Sequence, residues 1–420
     1  MTALLALAAK SAWNRRFVLS LVVVSIALST FLLLGIERVR ADVRETFSQS
    51  VSGTDLIVGA RTGSVQLLLY AVFRIGSATN NIRFSSVEAI AQHRAVEWVV
   101  PISLGDSHRG FAVVGTTPAY FDRFRYGDRQ PLALAAGRRF AAVFETVVGA
   151  EVAARLGYRI GERIVLSHGD GAFAANEHAD KPFTVVGILA PTGTPVDRSV
   201  HIGLDSMEAI HLDWLAGAPL PGMAVPASEV AKYDLTPKNV TAALVGLKSR
   251  AAVFRVQRDI AEFEAEPLMA VLPGVALDEL WAVVGIGERG LLAMSGLVAI
   301  VSLAGLVAVI LAGLEERRRE LAILRAVGAG PRQMLLLLAI EGALVTAAGV
   351  ALGLVASTLA VLALAGWFAD RFGIALQWQA PGANEAWLLA GLLVAGWLAS
   401  LVPGYRAYRM SLADGLSPRL

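Results

Sequence analysis

The chain has 420 residues, 55% of them hydrophobic and only 17% charged; with a mean hydropathy of +0.58 it is too apolar for an ordinary soluble protein. A formal net charge of +2 carries no bulk basic signal for nucleic acid. The absence of cysteine excludes disulfides, thiolate metal sites and cysteine nucleophiles.

Residues 1–16 place Leu4, Leu5, Leu7 and Trp13 beside Lys10, Arg15 and Arg16. They read as a short amphipathic segment on the inner membrane face, or simply as a positively charged flank. Residues 17–36 are uncharged, and a helix needs about 20 apolar residues to cross the hydrocarbon core. This run is too long for a signal-peptide core, and Glu37, Arg38 and Arg40 follow it instead of a cleavage site. A retained helix is expected, continuing outward to about residue 50.

The middle of the chain reads as an α+β domain. Residues 51–125 contain a β-branched strand from Asp55, a helix over 64–75, and strands over 96–104 and 110–116 joined by a polar turn at 105–108. Ser85-Ser86-Val87-Glu88 fits an N-cap, because a serine oxygen can accept the free N–H groups of a first helical turn. Residues 126–218 are richer in short strands with glycine turns: 144–148 leading to a helix capped by Gly157, then 161–166, 183–189 and 200–204, then a helix over 206–212. A proline-rich connector at 219–237 leads to a strand over 240–247 and a helix over 249–263. Segment 126–218 thus reads as a β-rich module inserted between the halves 51–125 and 219–287.

Three further membrane-length runs follow: 288–314, 334–369 with only Glu341 inside it, and 386–405. Basic residues mark the flanks that stay in the cytoplasm. They cluster at Lys10, Arg15 and Arg16, at Arg317, Arg318, Arg319, Arg325 and Arg332, and at Arg406, Arg409 and Arg419, while the short connection 370–385 has only Arg371. Both termini, including the tail 406–420, and the segment 315–333 are therefore expected inside, and the large domain outside.

Segment 315–333 is dense in charge yet carries an apolar stripe at helical spacing, and it is closed by Gly328 and Gly330-Pro331. Its candidate docking residues are Glu316, Arg317, Arg319, Glu320, Leu321, Ile323, Leu324, Arg325, Val327 and Arg332. Inside the third membrane run, an ionised Glu341 at mid-membrane would cost about 2.5–3.5 kcal/mol. A helix-anchoring role near the interface is expected for it, within reach of water or Arg332. Gly342, Gly349 and Gly353 lie on or near one helical face, and Gly349-x-x-x-Gly353 is a close-packing pattern. It fits a dimer seam and an intrasubunit contact equally.

Glu316-Arg-Arg-Arg-Glu-Leu-Ala-Ile-Leu-Arg-Ala-Val-Gly-Ala, Glu341-Gly-Ala-Leu-Val-Thr-Ala-Ala-Gly-Val-Ala-Leu-Gly and the ending Pro403-Gly-Tyr-Arg-Ala-Tyr-Arg-Met-Ser-Leu-Ala-Asp-Gly-Leu resemble the FtsX-like permeases of MacB-type ABC transporters. The order of four helices around one large external loop resembles them too. The resemblance implies a periplasmic domain with a porter-like part and an inserted sabre-like part, in a bacterial inner-membrane permease. It implies a homodimeric or pseudo-dimeric permease working with cytoplasmic ATPase subunits, and motion conveyed through the membrane by mechanotransmission, with a periplasmic adaptor or substrate protein as a further partner.

No G-x-x-x-x-G-K-[ST] occurs in the chain, so ATP and Mg are expected on a partner ATPase and no cofactor on this chain. Gly285-Ile-Gly-Glu-Arg-Gly matches a dinucleotide fingerprint only formally, since it lies at the mouth of a membrane helix. No catalytic constellation is present, so the chain is not expected to be an enzyme. His168 and His178 share one polar loop with Asp170, Glu177 and Asp180. A zinc site needs three or four converging ligands, and a solvated loop is the plainer reading. The metal set His168, His178 and Asp180 is kept on the resemblance alone, since permeases of this build occur in zinc-responsive settings. The expected function is a permease subunit for export or envelope transport; the alternatives are a non-transporting signal transducer, a lipoprotein-releasing or metal (zinc)-related transport subunit, and a plain membrane-anchored binding protein.

Overall fold

The computed structural model describes residues 16–409 apart from 170–176, 216–217, 220–224, 317 and 373–379. The expected amphipathic segment before Arg16 and the tail from residue 410 lie outside the described residues. The chain divides into two compact units, one built from residues up to 42 and from 284 onward, the other from 43–283 with a short piece at 372–374.

Among the described residues, four helices are long and apolar enough to cross a membrane. They are α1 (Arg16–Gln49), α7 (Pro273–Glu316), α9 (Pro331–Phe372) and α10 (Ala383–Arg409). Leu19, Val22 and Ile26 of α1 share one buried cluster with Leu306 and Ile310 of α7, Met334, Leu338 and Val345 of α9, and Leu392 of α10. Lipid tails are as apolar as leucine, so such helices associate through close packing and interhelical hydrogen bonds. Both are present. Ser302 Oγ of α7 lies 2.8 Å from Ser25 Oγ and 2.9 Å from Ser29 Oγ of α1. Arg38 of α1 pairs with Glu385 of α10 at 2.9 Å with both side chains about nine-tenths buried.

The glycine pattern on α9 resolves as contacts within the chain. A Cβ at Gly349 would lie 2.7 Å from Ile26, and one at Gly353 would lie 2.5 Å from the Ala27 carbonyl oxygen and from Thr30 Cβ. A Cβ at Gly342 would lie 2.3 Å from Ser400 Cβ on α10. The glycines therefore seat α1 and α10 against α9. Glu341 is fully buried in the same helix.

The second unit is built on one twelve-stranded sheet. Its strands are β1 (Leu56–Ala60), β2 (Val96–Ser103), β3 (Asp106–His108), β4 (Phe111–Thr116), β5 (Leu134–Gly137), β6 (Glu145–Val148), β7 (Arg163–Ile164), β8 (Ser167–His168), β9 (Phe183–Leu189), β10 (Ser199–Gly203), β11 (Ala242–Leu247) and β12 (Leu268–Val271). The order is β7-β9-β6-β10-β4-β2-β11-β1-β12, with β5 on β9, β3 on β4, and β8 on β3. Strands β6 to β10, from segment 126–218, continue the sheet begun by the flanking segments through parallel pairing of β10 with β4, Val200 opposite Val113.

Strands near the centre are covered on both faces, which is why they read as unbroken apolar runs. From β1, Ile57 enters one core with Leu67, Leu68 and Ala71 of α2 (Ser64–Ala71). Leu56, Val58 and Ala60 enter another with Val87 and Ile90 of α3 (Phe84–Ala91) and with Val256 and Ile260 of α6 (Val253–Ala261). A third core joins Phe111, Val113, Val200 and Ile202 to Val152 of α4 (Ala150–Leu156) and Ile210 of α5 (Leu204–His211).

Three local expectations are corrected. Helix α3 begins at Phe84, with Arg83 and not Ser85 at its N-cap; the Glu266 carboxylate accepts from Arg83 N–H at 3.1 Å and from Ser86 Oγ at 2.7 Å, so a residue distant in sequence replaces the local cap. The strand expected over 161–166 is confined to Arg163–Ile164. The turn expected at 105–108 is instead strand β3, and the turn moves to Arg109 and Gly110, both at positive φ (48° and 83°). That is the two-residue hairpin geometry whose twist matches the flanking strands. Gly157 caps α4 in the left-handed conformation as expected, φ 74°.

Candidate functional site

Two places bring together residues that the sequence singles out. The first is α8 (Arg318–Ala326), a short helix between α7 and α9. It closes with a Schellman motif: Ala329 N–H donates to Leu324 O at 2.9 Å, Gly328 N–H donates to Arg325 O at 3.0 Å, and Gly328 has φ 108°. Helix α9 then starts with Pro331, and Gln333 Oε1 accepts from Gly330 N–H at 2.9 Å. Two well-made caps hold α8 as a separate element. Ala322 is buried and Leu324 packs on the membrane-helix cluster. Ile323 is 55% and Val327 83% exposed. Arg325 is half-buried and Arg332 exposed. Arg317 and the side chains of Glu316, Arg319, Glu320 and Leu321 lie outside the described residues.

The second place is in the other unit. Strand β8 pairs with β3 so that His168 lies directly opposite Asp106, and Gly169 N–H donates to Gly105 O at 2.8 Å to close that ladder. His211, at the end of α5, comes in beside them, and His178 follows the polar loop. One donor atom from each of Asp106, His168, His178 and His211 can be chosen so that all lie within 4.8 Å of one another.

Asp106 Oδ1 is 3.0 Å from His168 Nδ1 and 3.5 Å from His211 Nε2, and these two ring nitrogens are 3.2 Å apart. His211 Nδ1 faces the Met207 carbonyl at 2.8 Å. A carbonyl only accepts, so Nδ1 carries a hydrogen, and Nε2 is the ring atom turned toward Asp106 and His168. His178 is fully buried, its ring 4.4 Å from that of Trp214 and 4.9 Å from that of His211. Among the described residues neither of its nitrogens has a hydrogen-bond partner, nor has Asp106 Oδ2.

The electrostatics follow from this packing. Burial raises the Asp106 carboxyl, but hydrogen bonds from His168 and His211 and the nearby imidazoles outweigh it and hold the group down at about 2. Burial lowers His211, yet the Asp106 hydrogen bond and charge lift it above its ordinary value. His178 is pushed down to about 4: burial lowers it most, the Asp106 charge acts against that, and the His211, His168 and Lys181 charges lower it further. Beside the cluster, a cleft of about 540 Å³ is lined in part by Arg74, Gly105, Asp106, Ser107 and Gly169.

Comparison with known families matches residues 18–263 to the MacB-like periplasmic core domain and residues 292–412 to the FtsX-like permease C-terminal region. The chain belongs to the FtsX-like ABC transporter permeases with a MacB-like periplasmic core domain. Among solved structures, the periplasmic region of MacB from Actinobacillus actinomycetemcomitans is similar with a TM-score of 0.33 at 11% identity, over 56% of this chain and 97% of that one. The extracellular domain of the noncanonic ABC-type transporter YknZ from Gram-positive bacteria is similar with a TM-score of 0.29 at 12% identity, over 52% of this chain and 99% of that one. No curated protein matches the chain.

In this permease the structure gathers His168 and His178, but not Asp180. That carboxylate pairs with Lys181 Nζ at 2.8 Å, a fully buried ammonium also held by Asp213 at 2.8 Å. Asp170 lies outside the described residues, and Glu177 bridges to Ser167. Asp106 and His211 replace them. Sequence reasoning missed Asp106 because Gly-Asp-Ser-His reads as a turn. The usable signal was Arg109-Gly110, a hairpin turn that makes the preceding three residues a strand. His211 was hidden as an ordinary residue near a helix end.

Proposed function

We propose that this permease couples ATP hydrolysis by a separate cytoplasmic ATPase to movement of its periplasmic domain, as a homodimer, in export or envelope transport. The observation that carries this reading is α8. A capped, self-contained helix between two membrane helices buries Ala322 and packs Leu324 on the bundle while holding Ile323 and Val327 out. Exposed aliphatic residues on a short charged helix call for a protein partner, and the basic flanks favour the cytoplasmic side for it. Membership of the family favours an ABC-type ATPase as that partner, with ATP and Mg bound on it.

The test is Ile323→Asp with Val327→Asp in the permease reconstituted with the ATPase that co-purifies with it. Both side chains project away from the bundle, so membrane insertion and thermal melting in detergent are expected to match the parent. Permease-dependent stimulation of ATP hydrolysis is expected to fall about tenfold or more, the loss typical of removing central interface anchors. Stimulation equal to that of the parent overturns the coupling assignment.

A further inference from the structure

We propose that Asp106, His168, His178 and His211 form a binding site for one divalent transition-metal ion of the zinc class. The proposal rests on this cluster alone and is independent of the coupling assigned to α8. Three observations carry it. First, Asp106 Oδ1, His168 Nδ1 and His211 Nε2, each an atom able to ligate a metal, converge within 3.5 Å of one another. A cation at the centre is held by all three at once, where a hydrogen on one ring nitrogen serves a single contact. Second, His178 is fully buried with both ring nitrogens unpartnered among the described residues. Leaving a buried polar group unmade costs about 1–3 kcal/mol, and a metal–nitrogen bond removes one such orphan. Third, the Met207 carbonyl fixes the His211 ring with Nε2 free to ligate, the outer-sphere arrangement that orients metal-binding imidazoles.

The donor set selects the ion. Three imidazoles and one carboxylate suit zinc and its neighbours in the first row, not magnesium or calcium, which take oxygen ligands. Metal–ligand bonds of 2.0–2.2 Å in a tetrahedron place donors about 3.4 Å apart, so the present 4.8 Å spread closes by small ring movements as the ion enters. Four protein donors leave no open position, which makes this a holding site and not a hydrolytic one. His168 and His211 are partly exposed, at 33% and 26% of their side chains, and give the ion a way in. The adjacent cation Lys181 is neutralised by Asp213 and Asp180. A bound ion would clasp β3 and β8 to the end of α5.

The experiment uses the full chain in detergent, purified through a tag without histidine and stripped with a chelator. Zinc is titrated in competition with a chromogenic indicator, and cobalt(II) is added in parallel for its tetrahedral absorption bands. One equivalent of zinc per chain, a rise in melting temperature with zinc but not with magnesium or calcium, and tetrahedral cobalt bands are expected. His211→Ala and Asp106→Asn are expected to weaken zinc binding by about 100-fold or more, since even outer-sphere changes cost about 10–100-fold. His108→Ala, which alters a histidine already satisfied by Val165 O and Tyr158 Oη, is expected to keep it. Both ligand variants are checked for a parental circular-dichroism spectrum, and His178→Ala provides a third in case either misfolds. Binding below one-fifth of an equivalent, or unchanged binding in the folded ligand variants, overturns the proposal. Failure here leaves ATPase stimulation through α8 untouched, and failure there leaves the metal titration untouched.

Discussion

His201 in β10 lies fully buried between aromatic rings, its centroid 5.3 Å from that of Tyr120 and 6.0 Å from that of Phe121. Its Nδ1 faces the Val147 carbonyl at 3.3 Å, and Nε2 has no partner among the described residues. Burial, reinforced by the Arg74 charge, pushes this imidazole down to about 3 from an ordinary 6.5. The folded chain therefore keeps the ring neutral where the unfolded chain would protonate it. Stability is fully present above pH 6.5 and is lost as pH falls from 6.5 toward 3. A single such proton weighs about 1.4 kcal/mol per pH unit across that window. Melting of the parent is expected to drop steadily between pH 6.5 and 4.5, and His201→Leu, of similar volume, is expected to flatten that drop. Equal pH slopes for the two proteins would refute this account. None of this was legible in the sequence, where Val200-His201-Ile202 reads simply as a strand. A histidine's charge is set by what covers it, and the cover here comes from residues about eighty positions upstream.

Among the elements, the legible ones are those whose pattern is local. The four membrane helices follow from long apolar runs, and Gly157 and Gly328 mark helix ends that form as the sequence suggests, both with positive φ. Elements whose identity depends on pairing were not legible: Asp106–His108 is a strand because β4 and β8 flank it. The Gly349-x-x-x-Gly353 pattern is intermediate. It announces close approach, and only the packing shows that α1 is the neighbour. Gly353→Val would push a side chain into the Ala27 carbonyl and Thr30, and is expected to cost about 1–3 kcal/mol, as overpacking does. Gly366→Val, in the same helix with nothing within 4 Å of its Cβ, is expected to be neutral. Detergent melting curves of the two variants check this; an undiminished Gly353→Val curve would show that α1 can yield at that contact.

For the whole molecule, the class of fold was readable because hydropathy alone separates membrane runs from a domain with strand and helix alternation. The joining of segment 126–218 to its flanks in one sheet was not, since β10 finds β4 across more than eighty residues of sequence. Orientation is the whole-molecule property that rests most directly on the sequence, through the arginines of segment 315–333 and the N-terminal flank. The absence of cysteine makes it directly measurable, because any thiol introduced is the only one present. Phe254 on α6 is 71% exposed and Val327 after α8 is 83% exposed, so neither change should disturb a core. In intact spheroplasts, Phe254→Cys is expected to react with a membrane-impermeant maleimide, while Val327→Cys reacts only after the membrane is permeabilised. The reverse pattern would place the sheet-bearing unit inside the cell and remove the basis for docking an ATPase on α8. Equal labelling of both positions before permeabilisation would contradict the single span, α7, that lies between them.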